Sequence, residues 1–207
     1  MQGNAGQRNR RGRPGYDLGR LLDVSVQVFI ERGYEGTSME DLSHRLGISK
    51  SAIYHHVAGK DELLRLSVNR ALDALFAVVE EEASTTGKAI DRLEHVVRRS
   101  VEVLVEDLPF VTLLLRVRGN TRIERQALAR RREFDRIVSD LVRQAEAEGS
   151  IRPDVDPALT SRLLFGMVNS IIEWYRPGRG VRAGQVADAV TKIAFDGLRN
   201  GVAEPVE

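Results

Sequence analysis

Apolar residues recur three and four positions apart along most of this chain. Nowhere do they alternate over the length of a strand between turn signals, so the pattern predicts an all-α protein of about nine helices. From about Tyr16 to Arg32, Leu18, Leu21, Leu22, Ser25, Val28 and Phe29 share one face, and Gly33 closes the helix. Ser38 and Asp41 form the two halves of a capping box that opens a short helix with Met39, Leu42 and Leu46 inward. Gly47 follows the last periodic residue, where a helix ends in a left-handed conformation that glycine adopts without steric cost. Ile48 plugs the turn, and Ser49 caps a second short helix from Lys50 to about Val57. Two short helices joined by a glycine turn are a helix-turn-helix.

Asp61 and Glu62 lie near the positive end of a long helix reaching about Glu82, with Leu64, Val68, Leu72, Leu75, Phe76 and Val79 inside. S-T-T-G at Ser84 to Gly87 reads as a loop, and Ile90, Leu93, Val97, Val101, Leu104 and Val105 mark the next helix. Pro109 breaks or restarts it, and Phe110 to about Val117 is apolar enough to need cover on both faces. After the polar R-G-N-T at Arg118 to Thr121, a charged helix from Ile123 to Glu148 carries one apolar stripe, and Gly149 ends it. Asp156 and Pro157 supply an N-cap and an N1 proline for a helix to about Tyr175 that is apolar around most of its circumference. The last helix, about Ala183 to Leu198, follows a P-G-R-G loop and has small residues beside its apolar stripe.

Composition narrows the chemistry. The chain has 207 residues and no cysteine, which removes disulfides, thiolate nucleophiles and cysteine zinc sites together. No apolar run approaches a membrane span, so a cytoplasmic protein without membrane contact is expected. Residues 1 to 60 hold nine lysines and arginines against six acids, whereas the remainder holds 22 against 24. In the second short helix Ala52 and Ile53 can face inward, leaving Lys50, Ser51, Tyr54, His55 and His56 to a partner, with no acid between Asp41 and Asp61. Residues 1 to 15 are an arm expected to be disordered when free, and R-G-R-P at Arg11 to Pro14 suits the narrow minor groove of A·T-rich DNA through Arg11 and Arg13.

Catalytic signals are absent. His55 and His56 diverge by about 100° on a helix, H-E-x-x-H does not occur, and neither does a G-x-S-x-G elbow or a P-loop. G-R-G-V-R-A-G at Gly178 to Gly184 misses the dinucleotide spacing and has no strand before it. No catalytic residue, metal site or cofactor is therefore expected. A DNA-binding regulator is set against an all-α enzyme or scaffold without DNA binding, and salt-dependent binding to duplex DNA separates the two.

The segments G-x-x-x-T-S-M-x-D-L from Gly33, L-G-I-S-K-S-A-I-Y-H-H-V from Leu46 and G-K-D-E-L-L from Gly59 resemble the DNA-binding domain of TetR-family regulators, a likeness covering about Tyr16 to Leu64. The resemblance implies a three-helix DNA-binding domain over residues 16 to 60 and a helical ligand-binding and dimerisation domain over 61 to 207. It implies that Lys50, Ser51, Ala52 and His55 face base edges in the major groove. Tyr54, His56 and Lys60 match phosphate-holding positions, with Ser38 and Ser49 adding hydroxyls; Glu40, beside this surface, stays outside the contact set. It also implies a homodimer through the last two helices, for which Leu164, Val168, Ile172, Val186, Val190 and Ile193 are the candidate interface, and hence an inverted-repeat operator.

N-S-I-I-E-W-Y-R-P-G-R-G at Asn169 to Gly180 resembles a segment of TetR-type regulators that respond to acyl-CoA thioesters, including fatty-acid, steroid and phenylacetate regulators. Such an effector needs an apolar slot and cations for its phosphates. Phe110, Leu114, Phe165 and Trp174 are the candidates for the slot, and Arg116, Arg118, Arg122, Arg131 and Arg132 for the phosphates. The expected small-molecule effector is thus an acyl-CoA that releases a repressor from DNA, with a hydrophobic drug-like ligand as the rival.

Overall fold

A computed structural model of the chain describes residues 17 to 199. Among these residues there are ten helices and no strand, only an isolated bridge between Ile151 and Arg199. The helices are α1 (Leu18–Arg32), α2 (Met39–Leu46), α3 (Lys50–Tyr54), α4 (Lys60–Glu80), α5 (Glu82–Thr85), α6 (Ala89–Glu106), α7 (Leu108–Arg116), α8 (Arg122–Ala147), α9 (Pro157–Trp174) and α10 (Ala183–Leu198). The helix beyond the nine expected is α5, a single turn in the stretch read as a loop, where the hydroxyls of Thr85 and Thr86 donate to the Glu82 carbonyl. The expected basic arm, with Arg11 and Arg13, lies outside the described residues.

Local chemistry sets the helix ends. Asp17 accepts from the Arg20 N–H at 2.8 Å, and Asp156 accepts from the Leu159 N–H at 2.7 Å. Thr121 and Glu124 form a second capping box, in which buried Glu124 accepts from the N–H groups of Gly119, Asn120 and Thr121. A carboxylate taken out of water is costly, and three donors offset that cost while fixing the turn before α8.

The core follows the apolar stripes. α1 packs on α2 and α4, and α4 continues on to α6, α7 and α8. α8 packs on α9, and α10 lies along α6. Leu21, Leu42, Ile53, Leu63, Leu64, Leu72, Leu93 and Leu114 are fully buried, each contributing about 1.5–3 kcal/mol by leaving water. α7 is buried on several sides, as its composition requires, through Phe110, Val111, Thr112, Leu113 and Leu114. No helix among the described residues is long and apolar enough to cross a membrane.

α4 ties the two ends of the molecule together. At its start the Lys60 ammonium donates to the Tyr34 carbonyl at 3.0 Å and lies 4.2 Å from the Tyr34 ring centroid, while Tyr34 donates to Asp61. Midway, Arg70 pairs bidentately with Asp107 at 3.0 and 2.5 Å and covers the Phe110 ring. Further on, Arg130 of α8 reaches Asn69 and Asp73 at 3.1 and 2.8 Å. A shift of α4 therefore moves contacts at both ends.

Candidate nucleic-acid interface and effector cavity

The α2–α3 unit is built as its sequence dictates. Ser38 accepts from the Asp41 N–H at 3.1 Å, and Asp41 accepts from the Ser38 N–H at 2.9 Å. The Ser38 hydroxyl and N–H hold the Asp41 carboxyl below the usual carboxylate range. Gly47 takes φ 67° and ψ 31°, so a side chain there would be strained. The N–H of Ile48 reaches back to the Ser43 carbonyl at 3.2 Å, closing the turn. Ser49 accepts from the Ala52 N–H at 3.2 Å and sits 2.9 Å from the Ser51 hydroxyl. Two ion pairs, Arg32–Asp41 at 2.9 Å and Arg45–Glu31 at 2.7 Å, clamp α2 to α1.

This framework leaves Ser38, Ser49, Lys50, Ser51, Tyr54, His55 and His56 exposed to solvent, with Tyr54 51% exposed. Ala52 is half-buried, and Ile53 and Val57 enter the core. α3 ends at Tyr54, earlier than periodicity suggests, so His55 and His56 stand in the turn that follows it. Lys50 pairs with Glu40 of α2, and His44 lies 3.5 Å from the same carboxylate. The Lys50 bond holds the Glu40 carboxyl low, and the Lys50 ammonium is raised in return. The sequence carries no local sign of this pair, because its members stand ten positions apart across the turn. Lys60, like Ala52, is half-buried, its ammonium lying over the Tyr34 ring.

The candidate ligand residues separate in space. A cavity of about 40 Å³ lies between α4, α6, α7, α8 and α9, with Leu114, Arg131 and Phe165 in its wall beside Leu72, Leu104 and Phe134. Phe110 is buried beneath Arg70 and is not in that wall. Arg116 and Arg118 line a different groove, between Tyr34 and Glu173. Arg132 lines a surface hollow with Ala129 and Arg136, Arg122 is exposed at the start of α8, and Trp174 is exposed against Tyr175. Three of the nine candidates thus meet at one cavity.

A second hollow, of about 380 Å³ between α8 and α9, shares Arg131, Asp135, Phe165 and Asn169 with the cavity and adds Arg136 and Arg162. Sequence reading missed Asp135, Arg136, Arg162 and Asn169. A signal existed in Arg162, Phe165, Gly166 and Asn169, spaced to share one face of α9. Desolvation raises the Asp135 carboxyl above its ordinary value, against the lowering effect of Arg131.

The candidate dimer residues also divide. Leu164, Val168, Val186 and Val190 are buried in the chain's own core, Ile172 is half-buried against it, and Ile193 is 70% exposed. α9 and α10 each carry two apolar stripes, and α6 and α8 cover the inner ones. The outer stripe consists of Leu159, Leu163 and Trp174 on α9, with Ile193 on α10. Exposed Gly166 and half-buried Met167 continue it between Leu163 and Trp174.

Comparison with known proteins agrees with this architecture. Residues 21–66 match the model of bacterial regulatory proteins of the tetR family, and residues 86–198 match that of the tetracyclin repressor-like C-terminal domain. The chain is 29% identical over 204 residues to the HTH-type transcriptional repressor KstR2 of Mycobacterium tuberculosis, covering 94% of this chain and 96% of that protein. It is 62% identical to SCO3833, a TetR transcriptional regulator family member from Streptomyces coelicolor A3, with a TM-score of 0.81 over 87% of this chain and 91% of that one. AibR, solved in complex with isovaleryl coenzyme A and operator DNA, is 25% identical, with a TM-score of 0.72 over 84% of this chain and 96% of that one. With one family model spanning the reader helices and another more than half of its length, this chain belongs to the TetR family of bacterial regulatory proteins.

Proposed function

We propose that this protein is a ligand-responsive repressor, not an enzyme, that binds an inverted-repeat operator as a homodimer and leaves it when an acyl-CoA thioester enters the cavity between α4, α6, α7, α8 and α9. The observation that carries the reading is the exposed α2–α3 face, set rigidly by the Ser38 and Ser49 caps and Gly47. KstR2 is a repressor, and the AibR complex holds both operator DNA and an acyl-CoA, which supports the same pairing of functions here.

Lys50 and Ser51 are the side chains suited to base edges, lysine donating to guanine O6 and N7 and serine donating or accepting. Ala52 and His55 flank them. Ser38, Ser49, Tyr54, His56 and Lys60 hold phosphates and set the register without reading sequence. Arg11 and Arg13 in the arm enter the adjacent minor groove at A·T-rich flanks. Glu40 competes with DNA for Lys50, so the lysine is released only where a good acceptor replaces the carboxylate. The reader occupies residues 16 to 60, and the effector and dimer domain occupies 61 to 207.

Two copies meet through the outer stripe of α9 and α10, centred on Leu159, Leu163, Trp174 and Ile193. An acyl chain in the cavity presses on Leu72 and Leu75 of α4, whose first turn is clamped to Tyr34 beside the reader. A coupling of about 1–3 kcal/mol then weakens operator binding about 5- to 150-fold.

Fluorescence anisotropy with selected and scrambled duplexes tests the reading. Affinity should fall steeply with salt as phosphate contacts release counterions. Lys50→Ala should flatten preference at one base pair of each half-site by about 1–3 kcal/mol, whereas Lys60→Ala should weaken all sequences about equally. Equal effects of both substitutions on every sequence would contradict the division of roles, and salt-independent binding would contradict the reading itself.

A further inference from the structure

The effector cavity and the hollow beside it differ in size and chemistry. The inner cavity is about 40 Å³ and mostly apolar, walled by Leu72, Leu104, Leu114, Phe134 and Phe165. One water-sized occupant needs roughly 10–15 Å³ on this measure, so the chamber takes about three to four non-hydrogen atoms. Its aromatic wall is braced rather than loose. Phe165 meets Phe134 edge to face at 5.5 Å, and Phe134 meets Phe76 in the same way at 6.0 Å. Lengthening the chamber means breaking that stack.

The outer hollow, about 380 Å³, has the opposite character. Arg131, Arg136 and Arg162 line it, and among the described residues none of the three enters an ion pair, although Arg130 and Arg143 on the same helix both do. The chambers share Arg131, Asp135, Phe165 and Asn169, so these four side chains stand at the boundary between them. Three guanidiniums around the larger chamber suit an anion with several phosphate oxygens.

Resting on the acyl-CoA reading above, we infer that the effector is a short-chain acyl-CoA. Its acyl group has about four to five carbons, straight or singly branched, with three to four of them beyond the thioester carbonyl in the inner chamber. Phe134, which lines the inner chamber alone, sets the length limit, and Phe165 braces it edge to face at 5.5 Å. The pantetheine and phosphates run out past Arg131 between α8 and α9, where Arg136 and Arg162 meet them. Long-chain and polycyclic acyl groups exceed the inner chamber.

Calorimetric titration of the full chain with free CoA and with acetyl-, butyryl-, isovaleryl-, octanoyl- and dodecanoyl-CoA tests this. Affinity should rise about fourfold for each buried methylene from acetyl to butyryl or isovaleryl and then fall at octanoyl and dodecanoyl. Phe165→Ala, verified as folded by its circular dichroism melt, should move the optimum to octanoyl-CoA. Arg136→Ala with Arg162→Ala should weaken every thioester and free CoA alike, with the rank order unchanged. Tightest binding of dodecanoyl-CoA by the wild type would overturn the short-chain assignment while leaving the acyl-CoA reading intact. An unchanged optimum in folded Phe165→Ala would overturn the role of that ring. Binding of neutral hydrophobes with no binding of any thioester would overturn the acyl-CoA reading, and this inference with it.

Discussion

Placing charge on the outer stripe of α9 and α10, by Leu163→Glu together with Ile193→Glu, should leave each chain folded and convert the protein to a monomer. Leu163 is 63% exposed and Ile193 70% exposed, so neither substitution opens the chain's own core. In a symmetric dimer each substitution occurs twice, and four desolvated carboxylates brought into one interface repel strongly. A dimer engages two half-sites because binding of one reader holds the second at high local concentration. Losing that linkage should lower affinity for a full inverted repeat by about 10²- to 10⁴-fold and leave a single half-site almost unaffected. Sedimentation and anisotropy on full and half operators would measure both effects. A dimer that survives the double substitution would move the interface elsewhere.

The other large effect concerns stability. Phe134 is buried and stacked edge to face between Phe76 and Phe165. Phe134→Ala removes a ring from the junction of α4, α8 and α9 and should destabilise the fold by about 3–5 kcal/mol through lost burial and the void left behind. At about 2–4 °C per kcal/mol for a chain of this size, the melting temperature should fall by roughly 6–20 °C. Because the void adjoins the cavity, a hydrophobic acyl-CoA longer than the wild type accepts should recover part of the loss. A melting temperature within a degree or two of wild type would mean that α8 and α9 repack freely.

The parts legible in the sequence are those fixed by neighbours within about four residues. Ser38 with Asp41, Gly47, Ser49, and Asp156 with Pro157 each mark a helix end through a bond or conformation the local chain supplies by itself, and the reader follows from them. The inner stripes of α4 and α6 were legible for the same reason, since 3.6-residue periodicity marks a buried face.

What periodicity cannot do is say which of two apolar faces meets the chain's own core. α9 has both, and the stripe through Leu164 and Val168 turns inward while that through Leu159 and Leu163 stays outside. The choice depends on how α6 and α8 cross α9. The same limit applies to charge. Nothing local distinguishes Arg130, which pairs with Asp73, from Arg131, which lines the cavity one residue later. α5 is a lone turn of four residues, too few to show a period in the sequence.

The α2–α3 face should read a two-fold symmetric DNA sequence. Sequencing the genomic fragments retained by the purified protein at physiological salt tests it directly. The expected result is one enriched motif of two inverted half-sites, centred about one helical turn or a multiple of it apart, and loss of that enrichment with Lys50→Ala. Fragments retained without any shared motif, or an asymmetric motif indifferent to Lys50, would contradict it.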